Sequence, residues 1–331
     1  IKVTTIANGI RVVTDQFESV ETVSIGAWIG VGARNETLDQ NGISHMLEHM
    51  AFKGTNTRTA QDIAIEIENV GGQVNAYTSR ENTAYYAKMM KNDAPLALEI
   101  ISDILQNSVI TPDELERERA VILQEISQSN DTPDDIIFDY FQKTAFPNQS
   151  VGRPVLGTVD HVSSFQRETL MHYMETYYTP PVIVLAASGN IEHVQFTEMA
   201  SQAFENINSS ERQSTSPANY VGGYFCEQRE LEQVHILFGL KGMSYNDPKY
   251  YSAALYSILL GGGMSSRLFQ EVREKRGLVY SIYSFMSPLT DNGLFGIYAG
   301  TGKTEVTELI PLVCEELMKT TQDITDEELD R

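Results

Sequence analysis

Hydrophobic positions along the first part of the chain follow two different periods. Short runs that mix apolar and small residues are typical of strands, whereas apolar residues that recur at steps of three and four predict helices. Strands are therefore predicted over residues 10–13, 23–29, 74–79, 83–89 and 182–188, and helices over residues 41–52, 59–70, 94–108, 113–129, 134–144 and 164–177.

The pattern is interrupted once and then starts again. Residues 207–222 lose hydrophobic periodicity and gain Ser, Asn and Pro, which is typical of a linker. Beyond it, residues 234–247 (VHILFGLKGMSYND) parallel residues 23–36 (VSIGAWIGVGARNE), and a helix over residues 250–262 takes the place of the helix over residues 41–52. This faint duplication predicts an α+β protein of two related sheet-plus-helix units.

The predicted domains are residues 1–210, a linker over residues 211–222, and residues 223–331. The second repeat is much shorter than the first, and the chain ends in TDEELDR, which resembles the beginning of a helix. We therefore expect the second unit to be incomplete in this chain.

Composition narrows the classes of function. The 331 residues contain 24 Lys+Arg and 45 Asp+Glu, a formal net charge of −21. Such acidity argues against nucleic-acid binding, which needs clustered basic residues, and weakly favours a basic substrate or partner. Apolar stretches are too short for a membrane span. Two cysteines, Cys226 and Cys314, cannot build a disulfide framework, and we expect them to be buried and unreactive.

The most informative motif is His45-Met46-Leu47-Glu48-His49. On a helix, His45 and His49 leave the same face one turn apart, so that both imidazoles can bind one metal ion, and Glu48 lies beside them as a general base for water. The order H-x-x-E-H is the inverzincin pattern. For the bare motif, two structural or surface histidines on a helix explain the sequence about as well.

A catalytic zinc requires three protein ligands and one open position. The predicted helix over residues 113–129 carries Glu118 and Glu125 seven positions apart, on one side and among apolar residues. Glutamates in such charged helices ordinarily face solvent, so the spacing alone leaves their role open.

Three longer segments decide between these alternatives. The chain resembles the pitrilysin/insulinase-type zinc peptidases in three segments, HMLEHMAFKGT, GGQVNAYTSRENTAYY and ERERAVILQEISQSNDTPDD. The chain is most similar to their processing-peptidase branch, which contains bacterial members and the catalytic β subunit of the mitochondrial processing peptidase. The resemblance covers the chain from about residue 9 to its end. It implies a zinc endopeptidase whose two units enclose a chamber, and whose substrates are extended, unfolded peptides or presequence-like segments.

The resemblance implies a role for each matching residue of the metal site. His45, His49 and Glu125 would bind one Zn²⁺ per chain. Glu48 would take a proton from water and later deliver it to the leaving amine. Glu118 would support the site from behind the ligands.

Substrate contacts are implied in the same way. Asn75 and Ala76 match the edge strand with which a substrate backbone pairs. Arg273 and Tyr280 match a pair that grips substrate and stabilises the tetrahedral oxyanion. Without the resemblance, we would interpret these residues as an ordinary strand and a charged helix surface.

Three further residues are implied in specificity. Asp135 and Asp139, four apart on a predicted helix, match a receptor for a basic residue, usually Arg, just before the cleaved bond. Phe52 matches a pocket for a large apolar residue on the other side of that bond. The alternatives are a solvated acidic helix end and plain core packing.

The implied partners are a peptide substrate and either a second copy or a related subunit, in the bacterial cytoplasm or, alternatively, the mitochondrial matrix. Two other functions remain open. A catalytically inactive structural or regulatory subunit of the same family would be expected to lack metal or base positions, all of which are present here. A peptide-binding or chaperone-like module with structural zinc would need a fourth protein ligand, which the motif does not offer.

Overall fold

The chain divides into two units, and the second takes a segment from the first half of the sequence. The computed structural model describes residues 1–207, 211 and 213–330, so the predicted boundary at residue 210 and Arg212 of the predicted linker lie outside the described residues. Unit 1 comprises Ile1–Ser127 and Arg153–Thr215; unit 2 comprises Gln128–Gly152 and Ser216–Arg331.

The described residues form strands and helices in the following order along the chain. The strands are β1 (Lys2–Thr5), β2 (Arg11–Gln16), β3 (Thr22–Ile29), β4 (Gln73–Thr78), β5 (Thr83–Met90), β6 (Ile183–Gly189), β7 (Val234–Lys241), β8 (Val279–Pro288) and β9 (Gly293–Thr301). The α-helices are α1 (Ile43–Ala51), α2 (Ala60–Asn69), α3 (Ala94–Asn107), α4 (Pro112–Asp131), α5 (Pro133–Ala145), α6 (Val159–Ser164), α7 (Arg167–Tyr177), α8 (His193–Ala203), α9 (Tyr250–Gly261), α10 (Val306–Lys319) and α11 (Asp326–Asp330).

Unit 1 is built on a six-stranded sheet in the order β1-β2-β6-β3-β5-β4. β2 and β6 are parallel, and the other neighbours are antiparallel. β4 is therefore an edge strand, paired with β5 in a register that places Ala76 opposite Tyr85. Apolar side chains of α1, α3 and α8 and the inner face of the sheet form one continuous core, because each of these elements is apolar on one side only.

Unit 2 repeats part of this topology. Its sheet has the order β7-β9-β8, which corresponds to β3-β5-β4, and in both units helices separate the first strand of the trio from the next. The predicted α+β class and the duplication of sheet-plus-helix units are confirmed.

Helix α5 belongs to unit 2, which differs from the predicted continuous first domain. Phe138 of α5 stacks on Tyr298 with ring centroids 5.9 Å apart, and Phe141 lies against Phe285 at 6.1 Å. Gly239 of β7 makes room for Phe141, since a Cβ atom there would lie 2.3 Å from the ring. Because its aromatic side chains pack on the sheet of unit 2, α5 belongs to that unit and not to unit 1.

Three other expectations are corrected. The predicted helix over residues 164–177 begins only at Arg167, because Phe165 is extended and buried. The segment Phe269–Glu274, whose Arg273 fits an ordinary helix surface by sequence, forms a π-helix. The expectation that both cysteines are buried is wrong: Cys226 and Cys314 are exposed, and Cys314 lies on α10 outside its buried stripe of Leu309, Leu312, Val313 and Glu316.

Among the residues that the structure describes, no helix combines the length and the apolar character that crossing a membrane would require.

Candidate metal centre

Helix α1 presents three polar side chains because its apolar positions all lie on the opposite side. Ile43, Met46, Leu47 and Met50 are at most 2 % exposed and belong to the core of unit 1. His45, Glu48 and His49 lie on the other side, and the His45 and His49 side chains keep 12 % and 18 % of their surface exposed. The helical period of 3.6 thus directs both imidazoles away from the core.

A buried carboxylate holds the beginning of α1. Glu36 accepts hydrogen bonds from the backbone N–H groups of Gly42 and Ser44 at 2.9 and 3.0 Å and from the Asn41 side chain at 3.0 Å. Gly42 has φ +99°, and a Cβ atom there would lie 2.8 Å from the backbone of Gly157. The carboxylate satisfies N–H groups that have no partner within the helix and interacts favourably with the helix dipole.

Glu125 of α4 lies against the two imidazoles. Its Oε2 atom is 3.6 Å from Nε2 of His45 and 3.7 Å from Nε2 of His49. Potential ligand atoms of the three residues all lie within 4.8 Å of one another. Ligand atoms that share a tetrahedral zinc at ~2.0–2.2 Å lie roughly 3.3–3.6 Å apart, so the donor set fits Zn²⁺ with small adjustments.

His45 also fits the role of a metal ligand by its protonation. Burial, and secondly the neighbouring His49, lower its pKa to about 4, so the imidazole is neutral at physiological pH. Its Nδ1 atom is buried and finds no hydrogen-bond partner among the described residues. A neutral imidazole is the form that binds a metal.

His49 is oriented from behind by Glu118. Oε2 of Glu118 lies 2.9 Å from Nδ1 of His49, and Oε1 lies 2.7 Å from Nζ of Lys53. Burial alone would raise the pKa of Glu118, but hydrogen bonds from Lys53 and His49 outweigh burial and lower it. An ionised carboxylate can only accept, so Nδ1 of His49 carries the proton, and Nε2 faces the Glu125 carboxylate with its lone pair available to bind a metal ion.

Glu48 is placed beside the ligands with a perturbed acidity. Its pKa is raised, chiefly by burial and further by Glu125, while hydrogen bonds from Thr78 and the charge of His49 partly offset the rise. Thr78 ends strand β4, and its hydroxyl also approaches the carbonyl of Ser44 at 3.4 Å. A carboxyl group with a raised pKa next to a metal site is suited to proton transfer near neutral pH.

The predicted substrate residues of unit 1 lie on or near the same elements. Asn75 and Ala76 are on edge strand β4, where the Asn75 side chain accepts a hydrogen bond from the backbone N–H of Ala76 at 2.8 Å. Phe52 directly follows α1, is partly buried against the core, and lies 6.4 Å from the Tyr85 ring. These positions are compatible with an edge strand that pairs with a peptide next to an apolar side chain. The roles of Asn75, Ala76 and Phe52 in substrate binding stay predictions.

Unit 2 holds the other four predicted residues. Arg273 lies in the π-helix with its guanidinium 4.7 Å from the Phe269 ring. Tyr280 is 76 % exposed, at a register shift near the beginning of edge strand β8. Irregular helix turns and bulges recur at functional sites.

Asp135 and Asp139 lie on α5, four positions apart as predicted. Asp135 is exposed and accepts a hydrogen bond of 2.6 Å from the Ser129 hydroxyl, and Asp139 is partly buried. The roles of these two residues, and of Arg273 and Tyr280, stay predictions.

Three residues that contact this site were not predicted: Glu36, Lys53 and Thr78. Lys53 is four positions after His49, a spacing that is a weak signal of proximity near a helix end. Glu36 lies six residues before Gly42 and so close to α1 in the sequence, whereas only a tertiary contact brings Thr78 to α1.

Comparisons with known proteins match two family models to successive parts of the chain. Residues 11–159 match the family described as Insulinase (Peptidase family M16), and residues 164–331 match the family described as Peptidase M16 inactive domain. An uncharacterized zinc protease YmxG of Bacillus subtilis is 40 % identical over 332 residues, which cover 100 % of this chain and 81 % of that protein. An uncharacterized zinc protease of Rickettsia felis is 40 % identical, with 98 % and 79 % covered.

Solved structures share the fold. A protease from Helicobacter pylori superposes with a TM-score of 0.91 at 24 % identity, covering 99 % of this chain and 82 % of that one. A chain of Complex III2 from Candida albicans superposes with a TM-score of 0.85 at 21 % identity, covering 99 % and 78 %.

Proposed function

The chain belongs to the insulinase family of peptidases, M16, and from this premise we propose that it is a zinc-dependent endopeptidase acting on extended, unfolded peptides or presequence-like segments. The single observation that carries the proposal is the convergence of His45, His49 and Glu125 within 4.8 Å, with Glu48 on the same helix turn. Relatives named zinc proteases, two of them 40 % identical, support the same metal and reaction class.

The chain's own residues would divide the chemistry as follows. His45, His49 and Glu125 would hold one Zn²⁺. When bound, Zn²⁺ polarises the scissile carbonyl and lowers the pKa of a water molecule toward ~7. Glu48, whose pKa burial raises, would accept a proton from the attacking water and then donate it to the leaving amine. Glu118 would keep the Nδ1 proton on His49 and thereby keep Nε2 directed to the metal.

Strand β4 would bind the substrate backbone. β4 is an edge strand whose outer backbone groups can pair with an added strand. Thr78, at the end of this strand, contacts Glu48, so a peptide bound along Asn75 and Ala76 would run toward the general base. This mode requires an extended chain and so selects unfolded substrates, and Phe52 would favour a large apolar side chain after the cleaved bond.

Specificity and oxyanion stabilisation are proposed for residues of unit 2. Asp135 and Asp139 would together attract a basic side chain before the cleaved bond, in keeping with the net charge of −21. Arg273 and Tyr280 would supply a cation and a phenol donor to the substrate.

A catalytically inactive subunit is the alternative function. The similarity to a chain of Complex III2, at 21 % identity, concerns the fold alone. The complete set of His45, Glu48, His49 and Glu125 favours the enzyme, because loss of any of them would remove a ligand or the base.

The test is Glu48→Gln in the full chain, with Glu68→Gln on the exposed side of α2 as the matched control. We expect Glu48→Gln to retain zinc and to lose about 10²–10⁴-fold in turnover of an unbiased peptide library, while the control cleaves like the parent. A parent that binds zinc but cleaves nothing would identify the inactive subunit. If Glu48→Gln cleaves as fast as the parent, the mechanism is wrong.

A further inference from the structure

The hydrogen bond between Glu118 and His49 does not stand alone. Lys53, just beyond the end of α1, places its Nζ atom 2.7 Å from Oε1 of Glu118, while Oε2 of the same carboxylate contacts Nδ1 of His49 at 2.9 Å. The carboxylate thus bridges a cation and a ligand imidazole, one through each oxygen.

Burial makes this bridge stronger than a surface ion pair. The Glu118 side chain is 9 % exposed and that of Lys53 is 31 % exposed, so screening by solvent is reduced on the carboxylate side. Glu118 lies in the buried stripe of α4 with Leu115 and Ile122. Without Lys53, a nearly buried carboxylate would face only the His49 imidazole, and its position would no longer be fixed from both sides.

The backbone keeps Lys53 in place. The N–H of Lys53 bonds to the carbonyl of Met50 at 3.1 Å, which continues the last turn of α1 past its final residue. Lys53 therefore moves with the helix that carries both histidines, whereas Glu118 and Glu125 belong to α4. The ion pair ties α4 to α1 at the level of the metal ligands.

We propose that Lys53 is a positioning residue of the metal centre: its ammonium group holds the Glu118 carboxylate where it accepts a hydrogen bond from the Nδ1–H group of His49, which leaves Nε2 directed to the metal. Partners behind a metal ligand fix its tautomer and ring orientation. The inference rests on the proposed zinc site.

The experiment measures the zinc dissociation constant of the full chain by competition with a chromophoric chelator at constant pH. Lys53→Met keeps the aliphatic stem and removes the charge. We expect it to weaken zinc binding by about 10- to 100-fold, and Lys53→Arg to restore binding to within about threefold. Lys91→Met is the matched control, because it removes an exposed ion pair of unit 1, with Glu21 at 3.0 Å, and should leave zinc binding unchanged.

A double-mutant cycle shows whether Lys53 acts through Glu118. In the Glu118→Gln background, Lys53→Met should change the zinc dissociation constant by less than about twofold, since the bridge is already broken. Nitrogen chemical shifts of His49 in zinc-free protein give a second readout: the parent should carry its proton on Nδ1, and Lys53→Met should show a mixture of tautomers.

Two results would overturn the inference. One is zinc binding by Lys53→Met within about twofold of the parent with an unchanged His49 tautomer. The other is a full loss of affinity that persists in the Glu118→Gln background. A parent that binds no zinc would instead overturn the proposed function, so the two failures are distinguishable.

Discussion

Oε2 of Glu125 lies 3.6 Å from Nε2 of His45, although two helices and two strands separate their helices along the chain. The contact arises because α1 and α4 each bury one apolar side in the same core and turn their polar edges toward each other. The candidate metal centre is therefore a product of core packing, and each proposed ligand can be tested separately.

Glu125→Gln should weaken zinc binding by at least about 100-fold, because it removes a charged ligand. Loss of a residue that only hydrogen-bonds to a ligand already lowers metal affinity by about 10- to 100-fold. Chelator competition measures the effect. Asp113→Asn, an exposed carboxylate in the first turn of α4, is the control and should bind zinc like the parent. Unchanged affinity in Glu125→Gln would remove the third ligand from the proposal.

Glu36→Gln should lower the free energy of unfolding of unit 1 by about 1–3 kcal/mol, because it weakens hydrogen bonds to a buried helix beginning. Trp28 is the sole tryptophan and lies on β3 of unit 1, so its fluorescence reports this unit during urea unfolding.

Zinc should be removed with EDTA in this experiment, so that metal binding does not contribute. The exposed Glu205→Gln is the control and should stay within about 0.5 kcal/mol. Equal midpoints for Glu36→Gln and the parent would show that the cap does not stabilise α1.

The sequence predicted α1 well because a local period carries the information. Its apolar positions recur at helical steps, and the same residues, Ile43, Met46, Leu47 and Met50, are those that the structure buries. The two histidines follow from this, since a helix that buries those four must direct positions 45 and 49 elsewhere.

Contacts between distant segments were beyond the reach of the local pattern. The seven-residue spacing placed Glu118 and Glu125 on one side of a helix, but only the family resemblance directed that side toward the histidines. Helix α5 shows the limit clearly: its period is the same whichever sheet it packs on, and Phe141 and Gly239 assign it to unit 2. The π-helix at Arg273 likewise has an ordinary helical pattern.

The ion pair between Glu328 and Arg267 in unit 2 should be sensitive to acid. Its hydrogen bonds with Arg267, at 2.6 and 2.7 Å, and secondly the N–H of Thr325 lower its pKa from 4.5 to about 2. Because the pKa is lowered on folding, the contribution to stability is present above pH ~4.5 and is lost as pH falls toward ~2.

Hydrogen exchange of residues 320–330 across this range should show a decline in protection as the pH falls. In Glu328→Gln the side chain at this position has no titratable group, so the decline in protection that is due to protonation of Glu328 should be absent. The same pH dependence in parent and variant would contradict the assignment.

The positions of Asp135 and Asp139 on α5 lead us to expect a preference for a basic residue before the cleaved bond. Asp135→Asn and Asp139→Asn should each lower the ratio of kcat/KM for Arg over Gln substrates by about 3- to 5-fold, because partly exposed charge pairs contribute up to about 1 kcal/mol. Ser129→Ala, which releases Asp135 from its 2.6 Å hydrogen bond, should lower the ratio less, since the charge is kept. Asp131→Asn, an exposed acidic residue at the end of α4, controls for general electrostatic attraction. A ratio that falls equally in Asp131→Asn and Asp135→Asn would show that the net charge of the protein, and not a receptor on α5, produces the preference.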